Sequence, residues 1–155
     1  IIHGTMVIHR QALLGVGGYD ERYRYASDRE MVIRFLRRYR AMNIQKPLLG
    51  VRRHPGQDSF SRRAAEEYVQ IFQGLLTGDG LSAQERTILR TSLAYSYLFR
   101  SRCLKQAGAY GEWLKDQSRA LALSPVTSLR NALGVVSDQL FPRRWRALLR
   151  RDSVY

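Results

Sequence analysis

Apolar and polar positions follow two different patterns along this chain. Up to about residue 58, short apolar runs alternate with polar loops, whereas from residue 59 onward apolar positions recur at helical spacing. The pattern therefore predicts a partial α/β segment with few strands over residues 1–58. An all-α region is predicted to follow over residues 59–155, so that the chain is mostly helical overall.

The first region is predicted to contain two extended segments. Residues 5–8 (Thr-Met-Val-Ile) form a short, apolar and partly β-branched run, which is typical of a buried strand. Residues 44–53 form the second segment, in which Pro47 favours a sheet edge or the start of a strand.

Helix signals separate these two segments. A short helix over residues 10–16 is predicted to stop at Gly17-Gly18. Ser27-Asp28-Arg29-Glu30 matches a capping box, with Ser27 as the N-cap residue, and the amphipathic pattern that follows predicts a helix to about Tyr39.

The second region carries clearer helix boundaries. Ser59 or Ser61 can cap a first helix, and a capping box at residues 82–85 opens a long helix to about Ala107. The pair of segments 84–107 and 110–123 resembles one tetratricopeptide-like helical hairpin. Such a hairpin needs stacked neighbours to bury both of its faces.

The net positive charge of the chain indicates an anionic partner but does not by itself identify it. The chain has 26 Lys and Arg against 13 Asp and Glu, a formal net charge of +13, and nearly all of the cations are arginine. This charge attracts nucleic acid, anionic lipid and nucleotide diphosphates alike. Because the arginines are spread along the chain and no nucleic-acid-binding motif is present, nucleic acid is not the expected partner.

The C-terminal stretch and the single cysteine bear on localisation. Residues 141–151 are basic and amphipathic around Trp145, which suits peripheral contact with an anionic membrane or, equally, a packed surface helix. Cys103 has no cysteine partner, and no apolar run of about 18 residues occurs. We therefore expect a cytoplasmic protein that can lie at the cytoplasmic face of a membrane.

Four motifs in the first region carry a family resemblance through their order and spacing. They are GTMVIHR (4–10), VGGYDE (16–21), SDREMVIRF (27–35) and VRRHPGQDSFS (51–61). Together they make residues 1–72 resemble the C-terminal, acceptor-side part of the catalytic domain of family 2 glycosyltransferases, which have a GT-A fold.

The resemblance implies that Asp28 is the general base of an inverting sugar transfer. In such a reaction the acceptor hydroxyl loses a proton as it attacks the anomeric carbon, and a carboxylate within hydrogen-bond reach can accept that proton. A helix N-terminus favours the ionised form of the carboxyl group. The alternative is that Asp28 only stabilises the helix dipole.

The same resemblance assigns the remaining site residues. Gly18, Tyr19 and Asp20 would contact the acceptor, although a turn-forming Asp and a packed Tyr explain the last two equally well. Arg52 and Arg53 would steady the leaving diphosphate, or are simply solvated. His54 would bind a divalent cation, Mg²⁺ or Mn²⁺, with most other ligands outside this chain, or is a surface residue in a His-Pro-Gly turn.

The nucleotide-sugar part of the family pattern is missing. No Asp-x-Asp motif and no Gly-rich phosphate loop occur, and the first residues read as a core strand without an initiator Met. We expect a fragment that transfers sugar from a nucleotide-sugar donor to a glycan, lipid-linked or small-molecule acceptor, and that is inactive by itself. The alternatives are a helical scaffold or adaptor and a basic nucleic-acid-binding module.

Overall fold

The computed structural model describes residues 3–50, 52 and 61–140, with side chains as far as residue 132. Within these ranges the chain forms a 3₁₀ turn at His3–Thr5 and six α-helices, and no strand. The helices are α1 (Arg10–Gly15), α2 (Ser27–Leu36), α3 (Arg62–Leu76), α4 (Ala83–Gln106), α5 (Tyr110–Leu123) and α6 (Pro125–Leu140). The predicted mostly helical class is confirmed.

The predicted strands are not formed in the described residues. Thr5 belongs to the 3₁₀ turn, and residues 6–9 and 44–50 are irregular. The backbone N–H of Met6 donates to His3 and that of Lys46 to Ile44, so these bonds close local turns. A strand requires a neighbouring strand for its ladder of hydrogen bonds, and neither segment pairs with the other. Residues 51 and 53 of the second prediction lie outside the described residues.

The chain divides into two compact units, Ile1–Ile71 and Phe72–Tyr155. The first unit contains α1, α2 and most of α3. Its buried apolar side chains come from the start of α2 and one face of α3: Ala26, Met31, Ala64, Ala65, Val69 and Ile71. Ser61 accepts a hydrogen bond from the backbone N–H of Ala64 at 3.1 Å, which confirms one of the two predicted caps of α3.

The second unit is built on α4 and α5, against which α6 packs. The capping box predicted for α4 is present, because Ser82 and Glu85 exchange side-chain and backbone hydrogen bonds. The core consists of apolar side chains on these helices and the end of α3: Phe72, Leu93, Ala94, Tyr97, Leu98, Leu104 and Ala120.

Among the helices of the described part, none combines the length and the apolar character that a bilayer span requires.

Candidate functional site

The glycine turn after α1 closes that helix. The N–H of Gly18 donates to the carbonyl of Leu13 at 3.0 Å, and the N–H of Gly17 donates to the carbonyl of Leu14 at 2.9 Å. This pair of bonds defines a Schellman motif, in which the residue after the C-cap adopts positive φ. Gly17 and Gly18 have φ of 85° and 68°, a conformation that favours glycine, and the predicted stop of the helix at these residues is confirmed.

Arg34 of α2 joins this turn to the helix. Its guanidinium donates to the backbone carbonyls of Val16 and Gly18, the latter at 2.8 Å. The same guanidinium forms a two-fold pair with Glu30, with both N–O distances at 2.6 Å. Arg38, just beyond the end of α2, donates to the carbonyl of Gly15 at 2.7 Å. The second and third motifs therefore form one connected structure.

Asp20 and Tyr19 lie just beyond the turn, and each has a partner. Asp20 accepts hydrogen bonds from the backbone and guanidinium N–H groups of Arg22, the shortest at 2.7 Å. These bonds lower the pKa of Asp20 from 3.8 to about 2. The Tyr19 hydroxyl lies 2.6 Å from Nε2 of His3, and their rings meet edge to face. Gly18, Tyr19 and Asp20 thus form a fixed, partly exposed edge.

The start of α2 departs from the predicted capping box. Ala26 is the N-cap residue, Ser27 is the first helical residue, and the N-cap makes no side-chain capping bond. Glu30 does not reach back to the N-cap because its carboxylate is committed to Arg34. The capping-box prediction is therefore wrong for this helix.

Glu67 of α3 supplies the hydrogen-bond acceptors for the backbone N–H groups just ahead of α2. Its carboxylate accepts the backbone N–H groups of Arg24, Tyr25 and Ala26 at 2.9, 2.7 and 2.8 Å. A carboxylate is a strong acceptor for backbone N–H groups ahead of a helix, where the positive end of the dipole also favours it. Glu67 therefore fixes the loop that leads into Asp28.

Asp28 occupies the first turn of α2 and is partly exposed. One of its oxygens, Oδ1, accepts the backbone N–H of Arg29 at 2.7 Å. Nearby, the Arg29 guanidinium lies 4.3 Å from the centre of the Tyr68 ring. Burial raises the pKa of Tyr68, the Arg29 charge opposes this rise, and the charges of Asp28 and Glu67 add to it.

The structure brings only some of the predicted site residues together. Within the described residues, no hydrogen bond or ion pair links Asp28 to Gly18, Tyr19 or Asp20. Arg52 is exposed. Arg53 and His54 lie outside the described residues, and the described ones contain no group of three or more His, Cys, Asp or Glu that could hold a metal ion.

Two residues of this region, Arg34 and Glu67, were missed by the sequence reasoning. The i, i+4 spacing of Glu30 and Arg34 could have predicted their ion pair. The bonds from Glu67 to residues 24–26 span more than 40 positions of sequence, and no local pattern indicates them.

Comparison of the chain with protein-family models, with curated protein sequences and with solved structures gives no significant match.

Proposed function

We propose that this chain is the acceptor-side part of an inverting glycosyltransferase of the family 2 type. In this proposal a sugar passes from a nucleotide-sugar donor to a glycan, lipid-linked or small-molecule acceptor, and Asp28 is the general base. Residues 1–58 would complete an α/β GT-A domain together with a nucleotide-binding part, and residues 59–155 would be its helical extension.

The observation that carries the proposal is the connection between two of the motifs on which the resemblance rests. Arg34 lies within the SDREMVIRF motif and holds the carbonyls of Val16 and Gly18, which belong to the VGGYDE motif. Partly buried polar contacts of this kind hold a loop in one conformation relative to a helix. An acceptor-binding edge and the helix that carries the base need such a fixed relation.

The Asp28 carboxylate has an oxygen that can accept a proton, as a general base requires. Within the described residues its hydrogen bond comes from the adjacent Arg29 N–H and engages Oδ1. The Oδ2 atom can therefore accept a proton from a hydroxyl without first breaking a salt bridge. Glu67, which holds residues 24–26, fixes the loop that precedes the base.

The leaving diphosphate would be met by Arg52 and Arg53, and His54 would be one ligand of a divalent cation bound to it. Such a cation would stabilise the charge that develops on the diphosphate. The described residues include no cluster of metal ligands. Acceptance of the hydroxyl proton by Asp28 does not itself require the cation.

The test is sugar transfer by the complete polypeptide encoded by the gene, assayed with a panel of nucleotide sugars. Asp28→Asn keeps the shape of the side chain and removes its basicity. We expect kcat to fall about 100-fold or more, because general base catalysis contributes roughly 10²–10⁴ in rate, with little change in the KM for the donor.

Asp79→Asn is the matched control, because Asp79 is an exposed aspartate in the turn between α3 and α4. This variant should transfer sugar at the unchanged rate, and the isolated 155-residue chain should show no turnover. Full activity of Asp28→Asn would remove Asp28 from the mechanism. Turnover by the isolated chain would contradict its proposed status as half of a catalytic domain.

A further inference from the structure

An apolar groove of about 380 Å³ lies in the first unit, between the two segments that were predicted as strands. Residues 5–8 form one wall, residues 41–49 form the other, and Val32, Phe35 and Leu36 of α2 form part of the lining. Several apolar side chains stand open to solvent here: Val7 is fully exposed and Met42 is 94% exposed. Exposed apolar surface of this kind usually marks a binding site.

The lining of the groove carries charge of one sign. Residues 3–19 and 31–50 contain no Asp or Glu, so none of the residues that line the groove is acidic. Lys46 lines the groove itself, and exposed Arg10, Arg37 and Arg40 stand within two positions of lining residues. The groove therefore favours an occupant that combines apolar and anionic groups.

The backbone on both walls has free hydrogen-bonding groups. Among the described residues, the N–H groups of Val7, Ile8 and residues 41–44 donate to no other group. The sequence of residues 5–8 is also of the type that favours strands. These are the properties of a chain segment that can accept a neighbouring strand.

We propose that this groove binds an extended segment of a partner polypeptide by strand addition. The segment alternates apolar side chains, which fill the groove, with Asp or Glu, which the cationic side chains around it attract. Backbone hydrogen bonds to one or both walls complete the interaction. The proposal concerns an interaction surface and does not depend on sugar transfer.

Two other occupants fit the groove less well. A bilayer would cover the apolar side chains and attract the cations, but it cannot satisfy the free backbone N–H groups of an irregular segment, which is costly in hydrocarbon. A second copy would bring two cationic rims together, and the chain carries a net charge of +13. A polypeptide strand with carboxylates satisfies both requirements.

The first experiment uses three labelled nine-residue peptides and the whole chain, with binding followed by fluorescence anisotropy. One peptide alternates Val and Glu, the second alternates Val and Lys, and the third is the Val-Glu peptide with its central Val replaced by Pro. We expect the Val-Glu peptide to bind at least 10-fold more tightly than the other two. Its advantage over the Val-Lys peptide should shrink in 0.5 M salt because exposed charges are screened.

The second experiment changes the groove without changing its charge. Val7→Ser with Met42→Ser should weaken binding of the Val-Glu peptide about 10-fold. Ile88→Ser in α4, also an exposed apolar residue at 56%, is the matched control and should leave binding unchanged. Hydrogen exchange should slow at the amides of residues 7–8 or 41–44 when the peptide binds.

Three results would overturn the proposal. The first is equal binding of all three peptides. The second is association with vesicles containing phosphatidylglycerol that depends on Val7 and Met42, in the absence of peptide binding. The third is a concentration-dependent dimer that the Val7→Ser, Met42→Ser variant abolishes.

Discussion

Each of the two units is stabilised internally by a different kind of interaction. In the first unit, loops are fixed by single polar side chains: Arg34 holds carbonyls of the glycine turn and Glu67 holds N–H groups ahead of α2. In the second unit, α4 and α5 pack through apolar side chains around the buried carboxylate of Asp116, which pairs with Arg100 and Arg119. The first arrangement fixes individual loops through polar contacts, whereas the second builds an apolar core. Substitutions should therefore have local effects in the first unit and cooperative effects in the second.

The largest effect is expected from Asp116→Ala in the second unit. The Asp116 carboxylate is 1% exposed, and the Arg100 guanidinium donates to both of its oxygens at 2.7 Å. Breaking a buried ion pair by removing its carboxylate typically costs about 3 kcal/mol, because the facing guanidinium stays in a partly desolvated site. Urea unfolding followed by the fluorescence of Trp113 in α5 measures this loss.

Two further variants separate charge burial from packing at this position. Asp79→Ala removes an exposed carboxylate and should change the free energy of unfolding by less than about 0.5 kcal/mol. Asp116→Leu combined with Arg100→Met replaces the pair by apolar side chains and should recover most of the stability. A loss below about 1 kcal/mol in Asp116→Ala would mean that apolar packing alone holds the hairpin.

A smaller and local effect is expected from Glu67→Ala in the first unit. The change leaves three backbone N–H groups, those of residues 24–26, without their acceptor. Loss of the acceptor costs about 1–3 kcal/mol for a buried donor. Because the N–H groups of Tyr25 and Ala26 are partly buried and that of Arg24 is exposed, we expect a loss near the lower end of this range. Hydrogen exchange should become at least 10-fold faster at these three amides, while the amides of α4 keep their rates.

Glu66→Ala is the matched control for this variant. Glu66 is the adjacent acid on α3, and its exposed pair with Arg62 at 2.8 Å is of the i, i+4 type. Such pairs contribute only about 0.3–0.5 kcal/mol. Equal effects of the two substitutions would show that Glu67 does not specifically hold the loop before α2.

The smallest effect is expected from Arg22→Gln, which acts on one carboxyl group. Hydrogen bonds from the Arg22 guanidinium and, to a smaller extent, from its backbone N–H lower the pKa of Asp20 from 3.8 to about 2, so the variant should bring this pKa part of the way back toward 3.8. Because the folded-state pKa is lowered, the stabilisation by this pair is present above about pH 4 and is lost as the pH falls toward 2. A carboxyl carbon-13 NMR titration measures the pKa of Asp20, and Arg24→Gln is the control. An unchanged midpoint in Arg22→Gln would show that a group other than the Arg22 side chain lowers this pKa.

The two units also differ in how much of their structure could be predicted from the sequence. Helices α4 and α5 begin and end close to the predicted positions because their signals are local: Ser82 caps α4, and α5 ends at Leu123, before Pro125. Leu93, Tyr97 and Leu104, which follow the helical period of α4, are buried in the structure. Local capping and periodicity were sufficient in this unit.

In the first unit, the decisive contacts are not local. Ser27 and Glu30 have the spacing of a capping box, but Arg34 competes for the Glu30 carboxylate and Glu67 provides the acceptor from another helix. Residues 5–8 have the composition of a strand, yet a strand also needs a neighbour, which composition does not reveal. Of the candidate site, the positive φ of Gly17 and the position of Asp28 in the first turn of α2 were predictable.

The hydrogen bonds from Arg34 to the glycine turn have a thermodynamic consequence for any ligand that binds at residues 18–20. Ordering a free loop costs about 1–2 kcal/mol for each residue that becomes fixed. The carbonyls of Val16 and Gly18 are already held by Arg34 before a ligand arrives, so this cost is met during folding. Binding at the turn would then proceed with little loss of backbone entropy, and affinity would depend on the contacts themselves.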